Sequence, residues 1–172
     1  ARARRRAPAR APAPGEAAGP DWALKLLAAL NVPPPARSRS IEFDADGDAA
    51  QRALLALIDG ARRRIDLSTF VLGDDAIGAA ASAALVRSVQ RGVQVRLLLD
   101  AIGGLRASRR LVRELRAGGV EVRWFMPVVR NPVRGRTNLR NHRKLAAADG
   151  EALWSGGRNL AVGYFVDAPE RP

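Results

Sequence analysis

Residues 65–99 read IDLSTFVLGDDAIGAAASAALVRSVQRGVQVRLLL, and this stretch decides the fold class. Its first segment, Ile65–Leu72, is rich in apolar and β-branched residues and is predicted to be a buried strand. A helix is predicted next, with Asp74 or Asp75 as its N-cap. Val93–Leu99 alternates and then becomes wholly apolar, as a central strand does. A strand, a helix and a second strand in this order predict a parallel βαβ unit.

The segments on either side continue the same alternation of strands and helices. They are a short strand at Ile41–Phe43, a helix from Asp48 to about Arg63, a helix from Ser108 to Gly118–Gly119, and a strand at Val120–Phe125. We therefore predict an α/β fold: one domain over residues 41–172 with a mixed, mainly parallel sheet flanked by helices.

Residues 1–40 have a different composition. The first twenty are almost entirely Ala, Arg, Pro and Gly, which cannot bury enough apolar surface to fold, so we predict a flexible tail. Residues 22–30 (WALKLLAAL) are predicted to form a short helix, which Pro33–Pro35 ends. No apolar run approaches the roughly 20 residues that a membrane-spanning helix needs.

The composition also restricts the chemistry. With no cysteine and one histidine, the chain has no disulfide or thiolate, and a zinc site is not expected. The net charge of +12 suits a polyanionic partner such as phospholipid headgroups or nucleic acid. An arginine- and alanine-rich composition typical of a GC-rich genome explains the charge equally well.

A long basic loop and a hairpin follow the last predicted strand of the parallel series. Residues 126–140 (MPVVRNPVRGRTNLR) form the loop, and a loop of this length is usually functional or mobile. Asn141–Ala148 and Glu151–Trp154 are predicted to be strands, and the Asp149–Gly150 pair between them predicts a tight hairpin turn.

The residues that carry chemistry lie in this hairpin and just after it. On a strand, His142 and Lys144 would share a face, where the imidazole could attack a phosphodiester while the ammonium group stabilises charge on the phosphoryl oxygens. Gly156 and Gly157 would let the backbone approach the phosphate, and Asn159 could donate a hydrogen bond to it. Asp149, at the turn and away from the pair, suits a structural role.

This arrangement resembles the HxKxxxxD signature of the phospholipase D superfamily with its trailing Gly-Gly-x-Asn. The resemblance extends over about residues 41–165. Within this range, four stretches are similar to the first catalytic half of bacterial cardiolipin synthase-like proteins: Ser68–Gly78, Arg91–Asp100, Phe125–Pro127 and Arg136–Lys144. It implies a phospholipase D-like fold, a phosphohistidine intermediate and no metal or other cofactor. It also implies that His142 is the motif histidine, Lys144 the phosphate-binding lysine and Asn159 the phosphate-contacting asparagine.

The family uses two such motifs, facing each other across one site, and this chain has one histidine. The second motif is therefore expected from a missing C-terminal half or from a second chain. Because thirty residues follow His142, fewer than in single-motif members of the superfamily, the domain is expected to be truncated at its C-terminus. Where the family often has an acidic residue before the tyrosine that matches Tyr164, this chain has Gly163.

Three functions remain open from the sequence. The leading one is phosphatidyl transfer or hydrolysis on phospholipids, with the protein in the cytoplasm or associated with the bacterial inner membrane. The runner-up is a homodimeric nuclease of the same superfamily, and the third is a non-catalytic half that serves as a binding module. Arg136 and Arg140 are candidate contacts for an anionic substrate, and a role as charged residues that only solvate the loop explains them equally well.

Overall fold

The computed structural model describes residues 22–33, 38–107, 109–127 and 139–166. The chain divides into two compact units, with the division between Glu42 and Phe43. In the first unit, helix α1 spans Trp22–Ala29 and has no buried residue. None of the helices in the described ranges has the length and apolar character needed to cross a membrane.

The second unit is built on a five-stranded sheet. The order of the strands is β3-β2-β1-β4-β5. Their bounds are Arg64–Thr69 for β1, Gln94–Asp100 for β2, Glu121–Phe125 for β3, Leu145–Ala148 for β4 and Ala152–Ser155 for β5. β1 pairs in parallel with β2, and β2 with β3, whereas β4 pairs antiparallel with both β1 and β5. Four strands thus run in one direction and β4 alone opposes them, which confirms the mixed, mainly parallel sheet.

Three helices pack against this sheet. They are α2 at Gly47–Gly60, α3 at Ala76–Gln90 and α4 at Arg109–Ala117. α2 contacts β4 and β5, α3 contacts β2, and α4 contacts β3. Alternate strand residues, such as Ile65 and Leu97, are buried among the apolar faces of these helices. The predicted α/β architecture of a sheet flanked by helices is therefore confirmed.

The helix boundaries follow from their caps. Asp75 caps α3, because its Oδ1 accepts hydrogen bonds from the backbone N–H groups of Ile77 and Gly78. For α2, the predicted cap was wrong by two residues: Asp46 accepts from the N–H of Ala49, and Asp48 lies in the first turn. An aspartate in the first turn still interacts favourably with the positive end of the helix. α2 ends at Gly60 rather than near Arg63, and the predicted start of α4 at Ser108 lies outside the described residues.

The predicted strand at Ile41–Phe43 was wrong. These residues form no strand, and the side chains of Ile41 and Phe43 are 71% and 92% exposed. A strand needs a neighbour for its backbone hydrogen bonds, and the described edge strands of the sheet are β3 and β5. Three alternating residues are also too short a pattern to indicate a strand reliably.

The hairpin forms, but its first strand is shorter than predicted, and its second strand spans Ala152–Ser155 rather than the predicted Glu151–Trp154. Asp149 and Gly150 have φ values of 58° and 77°, the left-handed pair that a tight type I′ hairpin turn requires. Strand β4 begins at Leu145, so the predicted strand from Asn141 was wrong over its first four residues. Asn141 leaves the ladder because its backbone N–H and side chain bind Asp100 and Ser68 instead.

Candidate active site

The topology brings the predicted site to one edge of the sheet. Strands β1 and β2 are parallel, so their carboxyl ends lie side by side. β4 runs the opposite way, with Leu145 opposite Ser68 near the end of β1. The residues that precede β4, His142 and Lys144, therefore reach the carboxyl edge of the parallel strands, where α/β folds commonly place their sites.

Phe70, the first residue after β1, has both predicted catalytic residues near its ring. The His142 imidazole stacks on the Phe70 ring with 4.1 Å between ring centroids and 28° between the ring planes. The Lys144 Nζ lies 5.9 Å from the centroid of the same ring and donates a hydrogen bond of 2.8 Å to the His142 carbonyl oxygen. Both side chains therefore lie near the Phe70 ring, and the Lys144 ammonium group is bound to the His142 backbone, although neither residue lies on a strand.

Asp100, the last residue of β2, holds the segment in front of His142. Its side chain is 0% exposed. One carboxylate oxygen accepts from the N–H groups of Ile102 and Gly103, and the other accepts from the N–H of Asn141 at 3.0 Å. The guanidinium of Arg140 completes the cluster, 3.5 Å from the first oxygen.

Asn141 extends this cluster to β1 and past His142. Its Nδ2 donates to the Ser68 hydroxyl at 2.8 Å, and its Oδ1 accepts from the N–H of Arg143 at 3.2 Å. The backbone on both sides of His142 is therefore fixed, while His142 itself is exposed. Such an arrangement leaves the imidazole accessible in a defined place.

Asn159 reaches the same region from the segment after β5. It is 3% exposed, and its Oδ1 accepts a hydrogen bond of 3.1 Å from the backbone N–H of Val71, the neighbour of Phe70. Because the oxygen is engaged there, the orientation of the amide is set and its amino group faces away from Val71.

Gly156 and Gly157 leave space beside Lys144. A Cβ atom at either position would meet no atom within 4 Å, and neither glycine has a left-handed backbone. The backbone N–H of Gly156 donates to the Lys144 carbonyl oxygen at 3.2 Å, which keeps this segment next to the lysine. Contacts within the described residues therefore do not require glycine here, and the space is open to a ligand.

Asp149 lies at the other end of β1 from His142. Its carboxylate accepts hydrogen bonds from the backbone N–H groups of Arg62, Arg63 and Arg64 at 2.8–2.9 Å. These bonds, with the one from Arg62 as the largest cause, hold the pKa of the Asp149 carboxyl below its ordinary value. Asp149 therefore connects the hairpin turn to the start of β1.

The two predicted substrate arginines differ. Arg136 lies outside the described residues. The guanidinium of Arg140 is turned inward, with the side chain 9% exposed, and donates to the Met126 carbonyl as well as pairing with Asp100. Substrate binding by Arg140 stays a prediction. In the structure, the guanidinium binds Asp100 and Met126 of the same chain. Among the described residues, no group of three or more His, Asp and Glu side chains could hold a metal ion.

Phe70 and Asp100 were missed as site residues by sequence reasoning. Asp100 directly follows the predicted strand Val93–Leu99, a position where α/β folds often place site residues. Phe70 gave no such signal, because the predicted strand Ile65–Leu72 extended past it, whereas β1 ends at Thr69. Their partners lie far along the chain, however, and nothing in the local pattern identifies them.

Comparison with known proteins is consistent with this geometry. Residues 54–170 match the family model described as "Cardiolipin synthase, PLD-like domain". The chain is 34% identical over 146 residues to cardiolipin synthase A of Pseudomonas aeruginosa, covering 85% of this chain and 30% of that protein. It is also 34% identical over 126 residues to the major cardiolipin synthase of Bacillus subtilis, covering 73% of this chain and 26% of that one.

The fold is found in solved structures as well. Nuc from Salmonella typhimurium, a phospholipase D family member, matches with a TM-score of 0.51 at 19% identity, over 66% of each chain. NucT from Helicobacter pylori matches with a TM-score of 0.54 at 15% identity, over 71% of this chain and 74% of that one. The chain spans about three tenths of the length of the curated relatives above.

Proposed function

Because this chain belongs to the family of cardiolipin synthase, phospholipase D-like domains, we propose that it supplies one half of an active site that transfers or hydrolyses phosphatidyl groups. The proposed substrate is a phospholipid, and the proposed reacting residue is His142. The net charge of +12 suits the anionic headgroups of a membrane surface, so we propose that the protein works at the bacterial inner membrane or from the cytoplasm onto it.

The observation that carries this proposal is the shared Phe70 ring. An exposed imidazole and an ammonium group both lie near this ring, 4.1 Å and 5.9 Å from its centroid. A nucleophile next to a fixed positive charge is what attack on an anionic phosphodiester needs. The open space at Gly156 and Gly157 gives room for the phosphate beside them.

In the proposed first step, an imidazole nitrogen of His142 attacks phosphorus. The new P–N bond forms as the P–O bond to the leaving alcohol breaks, and the alkoxide takes a proton from a general acid. In the second step, water or an acceptor alcohol attacks the phosphohistidine, and the P–N bond breaks. The same acid–base group removes the proton from the attacking oxygen, so the site returns to its starting state.

Lys144 and Asn159 are proposed to bind the non-bridging phosphoryl oxygens. The Lys144 ammonium group has three N–H donors, of which one reaches the His142 carbonyl. The amino group of Asn159 is the part of its amide that remains for a phosphoryl oxygen, because Val71 occupies the other part. Donors aimed at developing negative charge are among the largest contributors to such reactions.

The general acid is proposed to come from a second histidine motif. The chain holds one histidine, and it spans about three tenths of the relatives named cardiolipin synthases. The second motif would therefore belong to a longer form of this polypeptide or to a second chain. Two halves would meet over the exposed face of His142.

The test is hydrolysis of a chromogenic phosphodiester in excess EDTA, at increasing concentrations of the chain, with His142→Ala as the matched variant. Specific activity that rises with concentration and disappears in the variant is expected if two chains complete one site. Quenching with denaturant at alkaline pH during turnover should trap a phosphoprotein that is stable to alkali, labile to acid and absent from His142→Ala. Activity that persists in His142→Ala would refute the assignment of the nucleophile.

The substrate class requires a second assay. Vesicles of phosphatidylglycerol are expected to yield free glycerol and a larger phospholipid, or phosphatidic acid if water is the acceptor. Cleavage of DNA with no turnover of these vesicles would replace the phospholipid proposal with the homodimeric nuclease. Phosphodiester binding that never leads to cleavage, even with the second motif supplied, would favour the non-catalytic binding module.

A further inference from the structure

We propose that Asp100 is a positioning residue for His142, acting through Asn141 and Arg140. For its catalytic consequence this inference rests on the function proposed above. Its structural part, that a buried carboxylate sets the place of the imidazole, is independent of the reaction.

The Asp100 carboxylate is fully buried. A carboxylate that is fully removed from water must have its oxygens satisfied by donors or a positive charge. Asp100 has both: three backbone N–H groups and the mostly buried Arg140 guanidinium surround it. Such a group is well suited to fixing the backbone around it, since losing a donor would leave part of the buried charge uncompensated.

The donors to the Asp100 carboxylate come from two separate segments of the chain. Ile102 and Gly103 belong to the turn that follows β2, so their bonds hold the carboxylate in one orientation at the end of its own strand. Arg140 and Asn141 are the two residues in front of His142, and they lie about forty residues further along the chain. One side chain thus connects a rigid strand end to the backbone that carries the imidazole.

Asn141 links the Asp100 carboxylate to β1 and to the residue after His142. While its backbone N–H binds Asp100, its side chain binds the Ser68 hydroxyl on β1 and the N–H of Arg143. His142 therefore lies between two residues whose backbones are anchored. Its ring has one described stacking partner, Phe70, which follows β1 directly. If the backbone of Asn141 moved, the His142 imidazole would therefore change its position on the Phe70 ring.

The single histidine makes this measurable without activity. In a proton–carbon correlation spectrum, the imidazole Cε1–H group gives one cross-peak, because the chain has one histidine. Stacking on Phe70 places this proton in the ring current, so the peak is expected upfield of its position in the urea-unfolded chain. A Phe70→Leu variant, which removes the aromatic ring, calibrates how much of the displacement the stack produces.

The variant that tests the inference is Asp100→Asn, with Asp66→Asn as the matched control. Asp66 is also a strand aspartate with arginine partners, but it is partly exposed and its described partners, Arg64 and Arg96, are not residues of the site. In Asp100→Asn, the peak is expected to move towards the unfolded position, and in Asp66→Asn to stay in place. Because Asp100→Asn leaves Arg140 without its carboxylate and can fail to fold, Asn141→Ala tests the same relay with no change of charge.

Activity supplies the second readout. A displaced nucleophile is expected to lower kcat by about 100-fold while KM changes little, since misplacement by about 1 Å can have this effect. In a His142→Ala background, Asp100→Asn is expected to have no further effect on turnover. An imidazole peak that stays in place in folded Asp100→Asn and Asn141→Ala overturns the inference, even if activity falls. A wild-type chain that shows no phosphodiesterase activity even when the second motif is supplied, but that shows the expected peak movements, would instead overturn the proposed function and leave the positioning role standing.

Discussion

Replacing Asn159 with alanine is expected to remove two interactions at once. It deletes the Oδ1 atom that accepts from the Val71 N–H at 3.1 Å, and the amino group proposed to bind phosphate. Asn159 and Val71 are 3% and 5% exposed, so water cannot easily replace the lost acceptor. A buried N–H left unsatisfied lowers the free energy of unfolding by about 1–3 kcal/mol. For a chain of 172 residues, this corresponds to a melting temperature lower by roughly 2–12 °C.

Asn159→Asp separates the two interactions. The aspartate keeps an oxygen for the Val71 N–H and lacks the amino group. At about pH 4 or below, burial keeps this carboxyl neutral, and we expect the variant to melt close to the wild-type chain. Burial raises the folded-state pKa of such a carboxyl above its unfolded value. The folded state therefore binds more protons, and the variant should lose stability relative to wild type as the pH rises through the unfolded pKa of about 3.9.

The assay combines thermal unfolding at acidic and neutral pH with phosphodiester hydrolysis at neutral pH, in whichever assembly of the chain is active. Both variants should lose activity by about 100- to 1,000-fold, the effect of removing one donor to a developing oxyanion. Wild-type activity in Asn159→Asp would show that the amide donates nothing to the phosphate. A wild-type melting temperature in Asn159→Ala would contradict the argument from the buried Val71 N–H.

Three shorter predictions concern residues around the site. Because the folded-state pKa of Asp149 is lowered, its contribution to stability is present above the unfolded pKa and lost as the pH falls below about 4. Asp149→Asn should therefore weaken the acid dependence of the urea unfolding midpoint, and an unchanged dependence would argue against its bonds to residues 62–64. Gly157→Ala should leave the free energy of unfolding within about 0.5 kcal/mol of wild type, because the added methyl group contacts no atom of the described residues. The variant should still hydrolyse phosphodiesters more slowly, because the methyl group occupies the proposed substrate space. Full activity would exclude a close approach of phosphate to this position. Asp75→Ala should lower the free energy of unfolding by about 0.5–2 kcal/mol, since it removes the acceptor for Ile77, Gly78 and Val162, and chemical denaturation with Asp75→Asn alongside measures the difference.

The fold was predictable where the sequence pattern was long. The parallel pair of β1 and β2 with α3 between them follows from thirty-five residues in which apolar runs and caps agree. The hairpin was predictable because Asp149–Gly150 has a specific backbone requirement. Ile41–Phe43 misled because a short apolar run contains no information on whether a neighbouring strand exists.

The site was predictable only in part. The spacing of His142, Lys144 and Asn159 drew attention to the residues on which the proposed chemistry depends. Phe70 and Asp100 were not predictable, because their roles depend on contacts between segments far apart in the chain, as in the bond between Asp100 and Asn141 across 41 positions. Propensity and periodicity describe neighbours along the chain, whereas these contacts exist only once β4 has paired with β1.

That pairing shows why a residue remote from His142 matters to it. β4 is a short strand of Leu145 and three alanines, which alone specify its register weakly. A slip of one residue would reverse every side chain of β4 and carry His142 away from Phe70. Two clamps prevent the slip: the Asp149 carboxylate holds the far end on the backbone of residues 62–64, and Asn141 holds the near end on Ser68. Asp149 therefore helps to fix the register of the strand that follows His142, although it lies at the other end of that strand from the imidazole.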